Sequence, residues 1–353
     1  MNKKIGIWID FFSKKIMIEK DSPLYWKNMI FSFLNNWYNN NPFLTIFTSG
    51  TTGIPKKVIL YKKHMYNRAI STVEFLNLKK IGTKGFLCLS PNFIASKMFL
   101  VRAIIFKWKI YCVPPSSNPL KGIKEFFDIS SMIPMQVKFS LESKYIENIK
   151  ILLIGGSYIS ENLEEKLQNI STTCYATYGM TETYGHIAIR KINGSNKSFL
   201  YKSFNDINID VDNRSCLRIF LEKKYVVQTN DIVYLISKNS FFWKGRYDNI
   251  INSGGIKIIP ELLEKRINPF IPFYRRFFIS SILDEVFGEK IILIIEGSPI
   301  SIKIPEQIFR GEKKFYKPKN IFFIPTFTEN SFGKIRRKET TKKLIEIINN
   351  KYT

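Results

Sequence analysis

Thr48-Ser49-Gly50-Thr51-Thr52-Gly53-Ile54-Pro55-Lys56-Lys57 is the stretch on which the fold turns. Phe43-Leu44-Thr45-Ile46-Phe47 precedes it and Val58-Ile59-Leu60-Tyr61 follows. Both flanks are β-branched and aromatic, so they read as two strands joined by a loop. The loop holds four hydroxyls, two glycines and two lysines. Glycine lets a backbone approach a ligand without a Cβ in the way. Successive exposed N–H groups in such a turn make an anion-binding hollow, and lysines add point charges for phosphate. The spacing is not that of a Walker A loop. By composition alone the loop is either a polar hairpin turn or a polyphosphate cradle.

Working outward, 353 residues can bury a full core and suggest two domains. Hydrophobic residues make up 45% and charged residues 24%, the ordinary balance of a globular chain. No apolar run is long enough for a membrane span. Asp10 interrupts the apolar stretch behind Lys3 and Lys4, and no small-residue cleavage site follows, so no signal peptide is expected. Cys88, Cys112, Cys174 and Cys216 are far apart, with no C-x-x-C pair. Neither zinc nor a disulfide framework is indicated, and a reducing cytoplasm is expected. The net charge of +25 could serve nucleic acid or an anionic membrane. Yet Lys, Asn, Ile, Phe and Tyr are all abundant, as an AT-rich gene would give. The excess is also spread nearly in proportion to length, with no basic tail. Codon usage is the simpler account, and no nucleic-acid partner is expected.

Ahead of the loop, residues 1–42 read as a basic, aromatic lead-in that carries one amphipathic helix over 23–38, ended by Asn39-Asn40-Asn41-Pro42. Behind it, 63–78 reads as a helix, 85–90 as a buried strand, 96–107 as a helix and 109–113 as a strand. This alternation is α/β. Ile151-Leu152-Leu153-Ile154 is a strand that runs into Gly155-Gly156-Ser157, and Ser160 is a candidate N-cap for a helix over 161–169. In open α/β sheets ligands bind beyond the carboxyl ends of strands, which is where Gly155 and Gly156 lie. Cys174-Tyr175-Ala176-Thr177 is a further strand, leading into Tyr178-Gly179-Met180-Thr181-Glu182-Thr183. Alternating segments between 205 and 243 suggest a small antiparallel β unit. Gly245-Arg246-Tyr247-Asp248 marks a hinge, and the remainder looks like a separate α+β domain with helices near 260–267 and 340–349. The expected organisation is a large N-terminal domain of mixed and parallel sheets with helices, residues 1–247, and a small mobile α+β domain, residues 248–353.

Four separated motifs, in order, resemble those of the adenylate-forming superfamily of acyl-CoA synthetases. The 48–57 loop looks like its phosphate signature and Tyr178-Gly179-Met180-Thr181-Glu182 like its Y-G-x-T-E motif. Gly245-Arg246-Tyr247-Asp248 through Gly254-Gly255-Ile256-Lys257 is similar to its hinge region. Phe332-Gly333-Lys334 resembles its C-terminal lysine motif. The resemblance covers nearly the whole chain. It implies attack of a carboxylate on the α-phosphate of ATP, release of pyrophosphate, and transfer of the acyl group to coenzyme A. Two anions must meet in that step, so positioning and charge neutralisation dominate.

The implied roles follow residue by residue. Thr48, Ser49, Gly50, Thr51, Thr52, Gly53, Lys56 and Lys57 hold the β- and γ-phosphates. Glu182 holds Mg²⁺, which commonly takes one or two carboxylates plus phosphate oxygens. Thr181 bonds the α-phosphate. Tyr178, next to Gly179, offers a ring for adenine, or is simply a core aromatic. Asp231, in Thr229-Asn230-Asp231 where the family shows T-G-D, binds the ribose. Asn is expected to take the left-handed turn Gly would supply. Arg246 is a second ribose or phosphate contact. Asp248 is the pivot, Lys334 bridges α-phosphate and carboxylate, and Gly254, Gly255 and Lys257 line the path of coenzyme A after the lid turns.

The N-terminal lobe is much shortened, which resembles a compact o-succinylbenzoate–CoA ligase of the menaquinone pathway. No aspartate stands in Pro91-Asn92-Phe93-Ile94-Ala95-Ser96-Lys97, which speaks against an amino-acid substrate. Lys97, with Arg102 behind it, is expected to meet the second carboxylate of a diacid, with Gly155, Gly156, Ser157 and His186 around the acyl group. Lys97 facing solvent is the plain alternative, and His64 reads as surface at a helix start. Other acyl- or aryl-CoA synthetases, and a non-catalytic nucleotide- or nucleic-acid-binding protein, are the competing functions.

Overall fold

The computed structural model describes residues 6–18, 24–49, 55–78, 81–143, 145–221, 225–272, 274–329 and 335–350. The chain opens on a hairpin of β1 (Ile7–Asp10) and β2 (Lys15–Ile18). Asp10 Oδ1 accepts the backbone N–H groups of Phe12 (2.9 Å) and Ser13 (3.1 Å), and Lys14 takes a φ of 55°. One carboxylate thus closes the turn. The lead-in expected over 1–42 is therefore partly sheet. Helix α1 (Leu24–Tyr38) follows, then the two-stranded sheet of β3 (Phe43–Ser49) and β4 (Pro55–Tyr61), then α2 (Lys62–Phe75).

An alternating α/β run comes next: β5 (Lys84–Leu87), α3 (Ile94–Ile105), β6 (Lys109–Cys112), β7 (Phe127–Met132), α4 (Pro134–Ser140), β8 (Ile149–Ile154), α5 (Glu161–Leu167) and β9 (Thr173–Met180). Local chemistry sets the helix starts. Pro134 occupies the first turn of α4, and Gln136 Oε1 accepts the Ile133 N–H at 3.3 Å. Ser160 caps α5, its Oγ accepting the Leu163 N–H at 3.3 Å.

Antiparallel strands extend this layer: β10 (Gly185–Lys191), β11 (Tyr201–Ser203), β12 (Ile207–Val211), β13 (Cys216–Leu221), β14 (Tyr225–Ser237) and β15 (Ser240–Arg246). Among the described residues thirteen strands form one sheet, in the order β12-β13-β14-β15-β11-β10-β9-β8-β7-β5-β6-β1-β2. The pairs β6–β5, β5–β7, β7–β8 and β8–β9 are parallel. Such strands are covered on both faces, hence the apolar run Ile151-Leu152-Leu153-Ile154 that makes up most of β8. Leu153 joins a core shared with α1, α2 and α3, whereas Leu152 and Ile154 join a second core shared with α4 and α5.

After Tyr247–Asn249 the chain enters a second sheet of β16 (Ile251–Ser253), β17 (Ile256–Ile258), β18 (Phe277–Asp284), β19 (Gly288–Glu296) and β20 (Asn320–Ile324). Helix α6 (Pro260–Ile267) covers one face, where Ile291, Leu293 and Ile295 point. Helix α7 (Arg337–Asn349) covers the other, with Ile292 and Ile294. The architecture is mixed α/β, a large sheet with helices and an antiparallel extension, followed by a small α+β unit.

Candidate active site at the carboxyl edge of the sheet

Because β5, β7, β8 and β9 are parallel, their carboxyl ends share one edge. Gly155-Gly156-Ser157 leaves β8 there. A Cβ on Gly155 would overlap Thr177 Oγ1, and Gly156 has a φ of 86°, so both positions require glycine. Gly156 and Ser157 are exposed on this edge.

Strand β9 ends in a tight turn. Thr183 Oγ1 accepts the Met180 N–H (2.9 Å) and donates to the Gly185 carbonyl (2.7 Å), and Tyr184 sits at a φ of 58°. Gly179 has no room for a Cβ against the Gly185 carbonyl. This turn presents Thr181 and Glu182 half-buried at the edge. No group of three or more His, Cys, Asp or Glu side chains gathers anywhere among the described residues. Glu182 offers a carboxylate at this edge, which fits Mg²⁺, an ion that commonly takes one or two carboxylates plus phosphate oxygens and water.

Opposite the turn lies Asp231, buried on β14. Tyr178 Oη donates to its Oδ2 at 2.7 Å and Trp243 Nε1 donates to its Oδ1 at 3.2 Å. Arg246 stands 3.6 Å from Oδ1 and pairs with Asp248 at 2.8 Å. Burial, and then the Asp231 charge, hold the Tyr178 phenol well above its ordinary range. Tyr178 is therefore a neutral donor. Asn230 Nδ2 donates to Asp248 Oδ1 at 2.9 Å. The left-handed turn expected at Asn230 does not occur. The residue lies inside β14 and is not among those with positive φ, so its amide serves as a tether instead.

The phosphate loop is met only at its stem. Gly50, Thr51, Thr52 and Gly53 lie outside the described residues, as does Lys334. Thr48 and Ser49 end β3, opposite Lys56 and Pro55. Lys56 and Lys57 are both exposed but alternate in register. Gly254 (φ 58°) and Gly255 (φ 81°) form the turn between β16 and β17, next to the exposed Lys257.

The basic residues expected around the acyl group divide between two places. Ile94 and Met98 of α3 approach Gly185, and Arg102 continues that stripe. Arg102 is 2% exposed, with no hydrogen bond to its Nε and no carboxylate partner among the described residues. Burial lowers its guanidinium to about 9, which leaves it charged at neutral pH. His186 Nε2 lies 3.0 Å from Thr72 Oγ1 on α2. Burial first, then the charges of Arg102 and Arg68, keep this imidazole neutral well below its ordinary pKa. Arg68 is itself paired with Asp206 at 3.1 Å. Lys97 is not part of this group. Its Nζ donates to the Pro91 carbonyl and lies 5.6 Å from the Phe33 ring, toward α1. His64 is half-buried between Tyr61 and Tyr184.

Sequence reasoning missed Trp243 and gave Arg102 only a supporting place. Nothing in the strand around Trp243 distinguishes a donor from a packing aromatic.

Residues 10–204 match the family described as AMP-binding enzyme. The 2-succinylbenzoate–CoA ligase of Lactococcus lactis is 25% identical over 314 residues, spanning 83% of this chain and 69% of that protein. The chain thus spans about two thirds of the length of such relatives, 66% for the ligase of Salmonella typhimurium. A structure of an acyl-CoA synthetase (AMP-forming)/AMP-acid ligase II-like protein from Dyadobacter fermentans is 31% identical. It is covered to 96%, covers 92% of this chain, and superposes with a TM-score of 0.61. The o-succinylbenzoate coenzyme A synthetase of Bacillus subtilis, solved with ATP and magnesium, shares the fold at 18% identity. Its TM-score is 0.67, over 84% of this chain and 69% of that one.

Proposed function

The chain belongs to the AMP-binding enzyme family, and from that premise we propose that it is an ATP- and Mg²⁺-dependent acid–CoA ligase whose acid carries a second carboxylate, as 2-succinylbenzoate of the menaquinone pathway does. The observation that carries the diacid is Arg102, a buried cation without a counter-charge among the described residues, beside the neutral His186. Such a charge is costly to bury alone, and a substrate carboxylate would offset that cost.

The reaction divides by residue. Asp231, held by Tyr178 and Trp243, accepts the ribose hydroxyls, with Arg246 beside it. Thr181 and the 48–57 loop orient the polyphosphate. Glu182 would hold Mg²⁺, which would supply charge neutralisation for the polyphosphate. A carboxylate oxygen of the acid attacks the α-phosphorus, and the bond to the bridging oxygen breaks, so that pyrophosphate leaves with the electron pair. Lys334 on the C-terminal unit bridges the reacting anions as a mobile point charge. The sulfur of coenzyme A then attacks the acyl carbon, losing its proton as AMP departs. For that step the unit after residue 247 turns about Asp248 and brings Gly254, Gly255 and Lys257 to the site. We take 1–247 and 248–353 as the two domains.

No described helix is long and apolar enough to cross a membrane, and the four cysteines are free and buried, which supports a cytoplasmic setting. The experiment is acid-dependent pyrophosphate release. Glu182→Ala should abolish it and Lys334→Ala should slow it strongly. Arg102→Lys should lower kcat/KM for 2-succinylbenzoate by about tenfold to a hundredfold, the worth of one charged hydrogen bond, while benzoate is unaffected. Full activity in both of the first two variants overturns the ligase. An equal loss on both acids overturns the diacid.

A further inference from the structure

Lys97 and the polar face of α1 enclose a second cleft, which the ligase reaction leaves unused. Side chains on a helix advance by about 100° per residue, so Lys97 lies about 140° around α3 from Arg102. Arg102 is on the flank of His186, whereas Lys97 borders α1 and the base of β3. The cleft holds about 540 Å³, within the size range of small-molecule sites.

Its lining is one-sided in charge. Asn28, Ser32 and Asn36 stand at four-residue intervals along α1, and Asn92 closes the wall beside Lys97. No acidic side chain among the described residues lines it. Phe33 and Phe43 supply the apolar wall. Lys97 has no carboxylate partner among the described residues. Its ammonium meets only the Pro91 carbonyl and the Phe33 ring. Burial lowers it to about 8, so it remains mostly charged at neutral pH.

We infer that this cleft is a second binding site, separate from the adenylation centre, for a small organic anion with an apolar body, such as an aryl carboxylate. Lys97 takes the carboxylate, the amides of α1 and Asn92 donate to its oxygens, and Phe33 and Phe43 flank the body. A purely polar anion would leave those two rings without a role. A neutral ligand would leave the lysine unpaired.

The test uses the full chain without ATP. Binding of 4-fluorobenzoate is followed by ¹⁹F NMR, with inorganic phosphate as the second probe. Wild type and Arg102→Lys should both show saturable fluorobenzoate binding. Lys97→Met should weaken it about tenfold, as loss of a charged hydrogen bond does. Lys97→Arg, which keeps the charge and guards against misfolding in the methionine variant, should retain it. Pyrophosphate release by Lys97→Met should stay at the wild-type rate. Binding that Arg102→Lys removes, or that Lys97→Met leaves intact, overturns the proposal. Phosphate binding as tightly as fluorobenzoate overturns the aryl assignment. Because no ATP is present, failure of the ligase assay does not change any of these readings.

Discussion

Asp231 is a buried carboxylate with a donor already on each oxygen, Tyr178 on one and Trp243 on the other. Each oxygen keeps a spare lone pair, so two ribose hydroxyls can still be accepted once the carboxylate is fixed in plane. Trp243 is then a positioning residue. Trp243→Phe keeps the ring and removes the N–H. It should raise KM for ATP by about threefold to tenfold, less than the full worth of one hydrogen bond to a charged group because Trp243 acts only through Asp231, and leave KM for the acid unchanged. The penalty should shrink for 2′-deoxy-ATP, whose missing hydroxyl makes the geometry of Asp231 matter less. An equal rise in KM for both nucleotides would mean that Trp243 only packs. At this scale the sequence carried Asp231 and Tyr178, because their motifs are local. Trp243 is twelve residues from its partner along the chain, and only the β14–β15 pairing brings the two together.

The hairpin of β3 and β4 shows what an element adds. Residues pair Thr48 with Lys56 and Phe47 with Lys57. Successive side chains on a strand point to opposite faces. Leu44, Ile46, Val58 and Leu60 form the buried face, so Lys56 falls on the side turned to the domain. Phe43, Phe47, Ile59 and Tyr61 are exposed on the other side, and Lys57 shares it. Two lysines that looked equivalent are therefore not. Lys56→Ala should raise KM for ATP about tenfold, as loss of a phosphate contact does, while Lys57→Ala should change it less than about twofold. Steady-state titration of ATP in both variants decides, and equal effects would contradict the register. The strands themselves were legible from their β-branched and aromatic flanks. Helix α3 was not legible in this sense. Ser96 and Met98 through Ala103 are all buried, so its pattern is apolar nearly all round and gives no face. The sequence therefore does not separate Lys97 from Arg102, which lie on different sides of the helix. Other strands escaped for related reasons. β7 carries Ser130 and Ser131 in its middle, and the Ser130 hydroxyl is satisfied only by the Phe86 carbonyl (2.9 Å) once the sheet has formed. β1 and β2 are four residues each, and β1 gains strand character from β6, about a hundred residues away.

For the whole molecule, the junction at Tyr247–Asn249 joins two sheets with separate cores, and the rotation we propose there would exchange the residues facing the phosphates. Asn230 Nδ2 of the large sheet donates across it to Asp248 at 2.9 Å, and farther out Lys265 of α6 pairs with Glu161 of α5 at 3.4 Å. Asn230 stands where the adenylate-forming pattern usually has glycine, which has no side chain to make such a tether. The bond holds the pivot in the orientation described here and must break for the lid to turn. An exposed hydrogen bond of this kind is worth about 0.5–1.5 kcal/mol, so its loss should speed a step limited by rotation about twofold to tenfold. Asn230→Ala should therefore accelerate coenzyme A-dependent thioester formation in single turnover and leave acid-dependent pyrophosphate release unchanged. Arg214, which also bonds Asn230, remains anchored on Asp212, so the strand itself should hold. If both half-reactions slow together, Asn230 supports Asp231 in the nucleotide site rather than restraining the pivot. If neither changes, the turn about Asp248 does not limit the second half-reaction.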